Sequence, residues 1–154
     1  MNTPNDNDLL TWHRFFAVEA NNSAWQQTLD SAEERDVLDI LTQAYVAAYH
    51  WSQCGTELNV FRANVLLAHA HAYCGHGATA LEYVARYRAY MQDNPVEGWE
   101  KPFASMIQAQ AACAAGNSQL HAEYYAEAAR LVESITDPGD REVVEMTWVN
   151  IPRP

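Results

Sequence analysis

The chain has 154 residues, the length of one ordinary domain, and its 20 acidic and 9 basic residues give a formal net charge of −11. A field of that sign repels phosphate backbones and anionic lipid surfaces, so nucleic-acid and membrane partners are disfavoured. The polar start MNTPNDND lacks the apolar run of a signal peptide, and no stretch reaches the ~20 apolar residues that cross a bilayer. We therefore expect a cytoplasmic protein.

Helical spacing of apolar residues runs through the whole chain and strand patterns are nearly absent, which predicts an all-α fold. The first helix is expected to begin near Asp6 or Asp8, either of which can cap it. Its packing face is predicted to carry Leu9, Trp12, Phe16 and Ala20.

The second helix has a strong start signal, because Ser31 followed by Glu34 forms a capping box. Gly55 is expected to end this helix in the left-handed conformation that glycine adopts most easily. Its packing face is predicted to carry Val37, Leu41, Ala44, Tyr45, Ala48 and Trp51.

Five more helices follow, and glycine or proline separates most of them. Three have predicted bounds: the third from Thr56 to about Cys74, the fifth from about Glu97 to Ala115, and the seventh from Asp137-Pro138 to about Trp148. The fourth ends at Asn94-Pro95 and the sixth lies between Gly116-Asn117 and Ile135. Residues 1–154 are predicted to form one domain, with 1–7 and 149–154 as flexible or surface-lying tails.

The connections between helices are short, so consecutive helices are expected to pack as antiparallel hairpins. Gly75 and Gly116 stand 41 positions apart, and each ends a helix before a polar turn and a new helix. Such a degenerate repeat favours hairpins stacked as a short right-handed superhelix, with a closed helical bundle as the alternative.

Three stretches also carry a resemblance: WHRFFAVEANNSAW, HWSQCGTELNVFRANVLLAHAHA and GWEKPFASMIQAQAACAAGN, followed by DPGDREVV. With them the chain resembles small bacterial tetratricopeptide-like proteins of an uncharacterised family. The resemblance covers most of the chain. It implies stacked helical hairpins, and it implies no reaction.

A dense run of histidines, HAHAYCGH at 69–76, raises the question of a metal site. At 100° per residue, His69 and His71 point about 160° apart on one helix, and His76 follows the helix end. Metal-binding pairs on a helix are spaced four apart, so no metal and no cofactor are predicted. Zinc would need a ligand from another helix, such as His50 or His121. The three cysteines are expected to be reduced and buried, since no pair has a metal or redox spacing.

The candidate binding residues lie mainly in the second and third helices. Arg62 lies on a helix that is apolar nearly all round, so it needs a carboxylate or carbonyl partner. It either anchors an anionic group in a groove or forms an ion pair with an acid on a neighbouring helix, and the ion pair is favoured. Tyr83 and Tyr87 share a side of the fourth helix and belong either to the core or to a groove. The other candidates are His50, Trp51, Asn59 and His69.

Four aromatic residues of the first helix could bind a partner, although plugging the open end of a hairpin stack is the favoured interpretation: Trp12, Phe15, Phe16 and Trp25. Known nucleophile and phosphate-binding motifs are missing, so no catalytic residue is assigned. The predicted function is a non-catalytic protein- or peptide-binding module whose partner is basic. The alternative is a small helical enzyme or ligand-binding protein with a pocket between helices 2, 3 and 5 that contains Arg62, His69 and His50. A homodimer through an exposed apolar helix face is compatible with both.

Overall fold

The computed structural model describes residues 6–29 and 36–154, and these residues form seven α-helices with no strand. The helices are α1 Asp6–Leu29, α2 Val37–Cys54, α3 Glu57–Tyr73, α4 Gly77–Asp93, α5 Glu100–Ala114, α6 Ser118–Glu133 and α7 Pro138–Trp148. The predicted all-α class and the order of the helices are confirmed. The Ser31–Glu34 capping box lies outside the described residues, and α1 already includes part of the predicted tail 1–7.

Local caps set several helix starts, because the first N–H groups of a helix need acceptors that the helix itself cannot supply. Thr56 and Asn59 form a capping box at the start of α3, in which each side chain accepts from the other residue's N–H. Asp137 caps α7 and Pro138 is its first residue, as predicted. Asp36 caps α2, and its carboxylate accepts the backbone N–H groups of Leu38 and Asp39.

Gly75 and Gly116 end α3 and α5 in the same way. Both have a positive φ, 79° and 72°. Glycine adopts this backbone conformation at little energetic cost because it has no Cβ. The residue after each glycine donates its N–H to the carbonyl five positions back, at 2.8 Å in α3 and 3.0 Å in α5. The ends of α3 and α5 therefore share one backbone conformation, which is compatible with a helical repeat.

The prediction for Gly55 is wrong, because its φ of −89° is not left-handed. The position instead has no room for a larger side chain. A Cβ there would lie 2.6 Å from the carbonyl oxygen of Trp51 and 2.8 Å from the Cβ of Asn59. The close approach of α2 and α3 thus accounts for glycine at this junction.

Consecutive helices pack against each other as hairpins, α1 with α2, α3 with α4 and α5 with α6. In addition α2 packs on α3 and α4 on α5, while α3 contacts both α1 and α5, and α7 contacts α5 and α6. The odd-numbered helices therefore follow one another along one side of the molecule. Helix α3 lies at the centre and is buried nearly all round.

Two apolar clusters fill the interior. The larger cluster joins α3 to α7 through large side chains such as Phe61, Tyr87, Met106 and Ile107. The smaller cluster joins α1, α2 and α3, and five of its eight buried residues are alanines. Because alanine is small, helices that meet through it approach closely.

The predicted packing faces of α1 and α2 are rotated from the observed ones. In α1 the predicted Ala20 is buried, but Leu9, Trp12 and Phe16 are exposed, and Ala17 and Ala24 are buried with Ala20. In α2 the predicted Ala44 is buried together with Ile40 and Ala47, whereas the predicted Val37 and Tyr45 are exposed. The reason is that the close contact between these helices admits small residues and leaves the large ones outside.

The C-terminal residues lie against α6. Ile151 is buried in the larger cluster, and the carbonyl oxygen of Pro152 lies 2.8 Å from Nε2 of His121. The three cysteines are free, and each is only partly buried, so the expectation that they are buried is wrong. Within the described residues, no helix is both long and apolar enough to cross a membrane.

A candidate binding cleft between the odd-numbered helices

A cleft of about 260 Å³ opens between α1, α3, α5 and α7. Its lining is mainly aromatic and aliphatic, with Trp25 from α1, Phe61 from α3 and Phe103 from α5 at its base. Trp25 and Phe103 meet edge to face, with ring centroids 5.1 Å apart. Helix α7 adds Val143 and Met146, both about half exposed. The cleft therefore offers apolar surface that water can reach.

An ion-pair network forms the polar edge of this cleft. Nε of Arg62 donates to Oε1 of Glu100 at 2.7 Å, and Nη2 lies 3.5 Å from Oε1 of Glu97. The Glu100 side chain is only 3% exposed, whereas that of Arg62 is 37% exposed. The favoured interpretation of Arg62, an ion pair with an acid on a neighbouring helix, is confirmed. A buried carboxylate of this kind needs its partner, since an unpaired buried charge is costly.

Further contacts hold this network in place. The second oxygen of Glu100 accepts the backbone N–H of Glu97 at 2.7 Å, and Glu97 accepts the indole N–H of Trp99 at 2.8 Å. The guanidinium carbon of Arg62 lies 5.6 Å from the centre of the Trp99 ring, within the range of a cation–π contact. One guanidinium group therefore faces two carboxylates, and Glu97, whose side chain is 61% exposed, is the more exposed of the two.

His69 does not line the cleft, although it was a predicted binding residue. It is buried in the core, where Nδ1 lies 2.7 Å from Oε1 of Gln110 and Nε2 lies 2.9 Å from Oγ1 of Thr28. Its ring stacks on Trp25 at 4.4 Å, and Trp25 does line the cleft. Burial lowers the pKa of His69 to about 4, because charge is disfavoured away from water. His69 is therefore a neutral support behind the cleft.

The remaining predicted residues are dispersed. His50 and Trp51 end α2, and Asn59 caps α3. Tyr87 is a core residue whose hydroxyl donates to the carbonyl of Ala104 at 2.8 Å, and burial raises its pKa above the ordinary value. Tyr83 is half-buried and stacks on His71. Of the seven predicted binding residues, all within the described ranges, Arg62 alone lines the cleft.

The cleft differs from the alternative pocket predicted between helices 2, 3 and 5. Helix α2 contributes no residue to the cleft, and α1 and α7 take its place. The physical reason is that α2 packs on the far side of α1 and α3, so His50 faces α1. In the described part of the chain, the lining contains no histidine, cysteine or serine that could act as a base or nucleophile.

Several cleft residues were missed in the sequence. Trp99 and Glu100 were not among the predicted binding residues, and Trp25 was expected to plug the open end of the hairpin stack. The four lining helices span most of the chain, so their meeting has no signal in local spacing. One clue was present: Val143 and Met146 are three apart and give α7 an apolar side.

The histidines are paired more closely than predicted. Nδ1 of His13 and Nδ1 of His50 lie 2.7 Å apart, and those of His71 and His76 lie 3.3 Å apart. Burial and the charge of His13 lower the pKa of His50, and burial and the charge of His76 lower that of His71. The turn that follows α3 brings His76 back to His71. The helical projection did not predict this contact, because His76 lies beyond the end of the helix.

No three His, Cys, Asp or Glu side chains are grouped as metal ligands within residues 6–29 and 36–154. Comparison of the chain with protein-family models, with curated proteins and with solved structures gave no match. The cleft and its edge are therefore interpreted from their own chemistry.

Proposed function

We propose that this chain is a non-catalytic protein- or peptide-binding module of the cytoplasm, with a basic partner. The observation that carries the proposal is the aromatic cleft between the odd-numbered helices. Small-molecule and cofactor pockets usually have volumes of about 300–1,000 Å³, and this cleft lies just below that range. It suits one or two apolar side chains of a partner, which is how aromatic anchors bind at protein interfaces.

The charge of the molecule supports a basic partner. The formal net charge is −11, and at the cleft edge Arg62 is shared by Glu97 and Glu100, which leaves one excess negative charge there, with Glu97 the more exposed carboxylate. An apolar anchor with a lysine or arginine beside it would fill the cleft and meet Glu97. Because that pairing is exposed to solvent, it should weaken as salt rises.

The arrangement of the hairpins also supports a binding role. We infer that they stack as a short right-handed superhelix like those of tetratricopeptide proteins, whose inner helices present a concave surface to peptides. Contacts between successive odd-numbered helices, and the matching glycine ends of α3 and α5, support this inference.

The proposal can be tested with a displayed peptide library selected on the full chain, followed by fluorescence anisotropy. We expect selected peptides to share an apolar anchor next to a basic residue, and to bind more weakly at about 0.5 M than at 0.05 M salt. Val143→Glu places a carboxylate in the cleft and should weaken binding at least about tenfold, since an apolar anchor cannot pair with it. Val149→Glu, outside the cleft, is the control.

A second pair of variants tests the charge at the edge. Glu97→Lys should weaken binding of the same peptides by roughly three- to tenfold, through loss of an attraction and gain of a repulsion. Glu133→Lys makes the same change in net charge at an exposed residue of α6, which does not line the cleft, so it should weaken binding less. Failure to select any peptide, or binding that is indifferent to Val143→Glu, would contradict the proposed function.

A further inference from the structure

Helix α2 carries an unusual surface for a chain of this charge. In its 18 residues Asp39 is the one Asp, Glu, Lys or Arg, yet much of the side turned away from α1 and α3 is open to solvent. Six uncharged residues form a stripe along this side, and together with His50 they line a shallow groove: Leu38, Leu41, Thr42, Tyr45, Val46 and Tyr49. We refer to these six residues as the α2 stripe.

The extent of the exposed apolar surface points to an interface. Leu38 is 74% exposed, and Tyr45 and Tyr49 are each about half exposed. Trp12 and Phe16 of α1 are also exposed, and Phe16 and Tyr49 meet at His50, with ring centroids 5.5 and 5.2 Å away. Together these side chains offer on the order of 600 Å² per copy, enough for a small stable dimer of about 1,200 Å² in total.

The α2 stripe is complementary to itself. Its members are spaced three, one, three, one and three residues apart, so the spacing is the same in both directions. If two stripes meet antiparallel, Leu38 of one copy lies opposite Tyr49 of the other, and Leu41 lies opposite Val46. Two-fold symmetric contacts of this kind are the commonest way in which soluble chains form homodimers.

Charge also favours a second copy as the occupant. Two chains that each carry −11 repel each other, and none of the six residues of the α2 stripe adds a charge to that repulsion. A basic partner would gain nothing from this uncharged stripe, whereas the cleft edge has Glu97 to offer. The outer end of a helical array normally needs a polar cap for solubility, and here it is apolar.

We propose that the chain forms a homodimer in which two α2 stripes pack antiparallel about a two-fold axis. The contact is independent of the cleft, which lies among α1, α3, α5 and α7. High salt should leave this dimer intact or strengthen it, because screening reduces repulsion between the acidic copies.

The mass of the full chain in solution tests the proposal. At about 50 µM, sedimentation velocity should show twice the chain mass of 17.3 kDa. Leu38→Glu should raise the dimer dissociation constant at least about tenfold, since it would bury a carboxylate against Tyr49. Val149→Glu changes a side chain of equal exposure, 75%, outside the stripe and should leave that constant within about twofold.

A mixing experiment tests the antiparallel pairing. Leu38→Glu and Tyr49→Lys chains should each be monomeric alone and form a one-to-one dimer when mixed, because residues 38 and 49 then meet as a charge pair. Circular dichroism of each variant should match the wild type, as both positions are exposed. A wild type that stays monomeric at about 200 µM, a Leu38→Glu chain that still dimerises, or a mixture that stays monomeric would each overturn the proposal.

Discussion

The N-terminal hairpin of α1 and α2 exposes most of its large apolar side chains, whereas the central helix α3 buries most of its own. Ten of the 17 residues of α3 are buried, including Phe61, Val65 and Leu66. In α2 only three of 18 are buried, and two of those are alanines. Both regions are firmly packed, but α3 uses large residues in its core, whereas α1 and α2 approach through small ones. The hairpin therefore keeps its large apolar residues for the surface.

This difference separates two surfaces. Large side chains around α3 leave a shaped cleft with a charged edge, which suits selective binding of an anchor. The alanine contact between α1 and α2 leaves the large apolar side chains of the α2 stripe on the surface, where we propose that a second copy binds. The comparison can be tested by changing matched residues in the two regions.

The largest effect is expected from truncation of a large core residue. Phe61 is 2% exposed and packs on Tyr87 and Tyr90, so Phe61→Ala should lower the free energy of unfolding by about 3–5 kcal/mol. Phe15→Ala removes the same atoms from the exposed side of α1 and should cost below ~1 kcal/mol. Urea unfolding of the two variants measures both. A similar loss of unfolding free energy in both variants would contradict the buried position of Phe61 or the exposed position of Phe15.

The next effect is expected in the pH dependence of stability. His69 stays neutral in the folded chain down to about pH 4, while the unfolded chain takes up this proton near pH 6.5. Stability from this residue is complete above pH 6.5, falls as the pH drops from 6.5 to 4, and falls no further below 4. The expected loss is about 3 kcal/mol.

His69→Gln should flatten this part of the profile, measured by urea unfolding between pH 4 and 7. His50→Gln is the matched change in the N-terminal hairpin. The pKa of His50 is also lowered, but its ring lies near the surface, so we expect that variant to keep most of the wild-type slope. An unchanged slope in the His69 variant would show that His69 takes up its proton as easily when folded.

A smaller effect is expected from enlarging a residue in the alanine contact. Ala44 is completely buried in the smaller cluster, so Ala44→Leu should cost about 1–3 kcal/mol by forcing α1, α2 and α3 apart. Ala85→Leu makes the same change on the exposed side of α4 and should stay within about 0.5 kcal/mol of the wild type. Thermal unfolding compares them. If Ala44→Leu were harmless, close approach could not explain the exposed residues of the hairpin.

Much of the fold could be predicted because helix ends have local signals. Thr56, Asp137 and the glycines at 75 and 116 act within a few residues of their own positions. The rotation of α1 and α2 could not be predicted in this way. A face of alanines and a face of large apolar residues both have helical spacing, and only the neighbouring helix decides which one is buried.

The site was less predictable for a related reason. Arg62 could be singled out because a charged residue on an apolar helix needs a partner, and Glu100 supplied it. Trp25 and Trp99 are 74 positions apart, and they line the same cleft only because α1, α3 and α5 pack together, with each indole ring against Phe103. His13 and His50 likewise meet through the register of α1 and α2, which local spacing does not encode.

The separation of the two surfaces can be measured in one experiment. Fluorine NMR of the chain labelled with 5-fluorotryptophan reports on its five tryptophans separately, and they are Trp12, Trp25, Trp51, Trp99 and Trp148. We expect a selected peptide to shift the signals of Trp25 and Trp99, and a rise in chain concentration to shift that of Trp12. A peptide that shifts Trp12 and leaves Trp25 and Trp99 unchanged would contradict binding in the cleft.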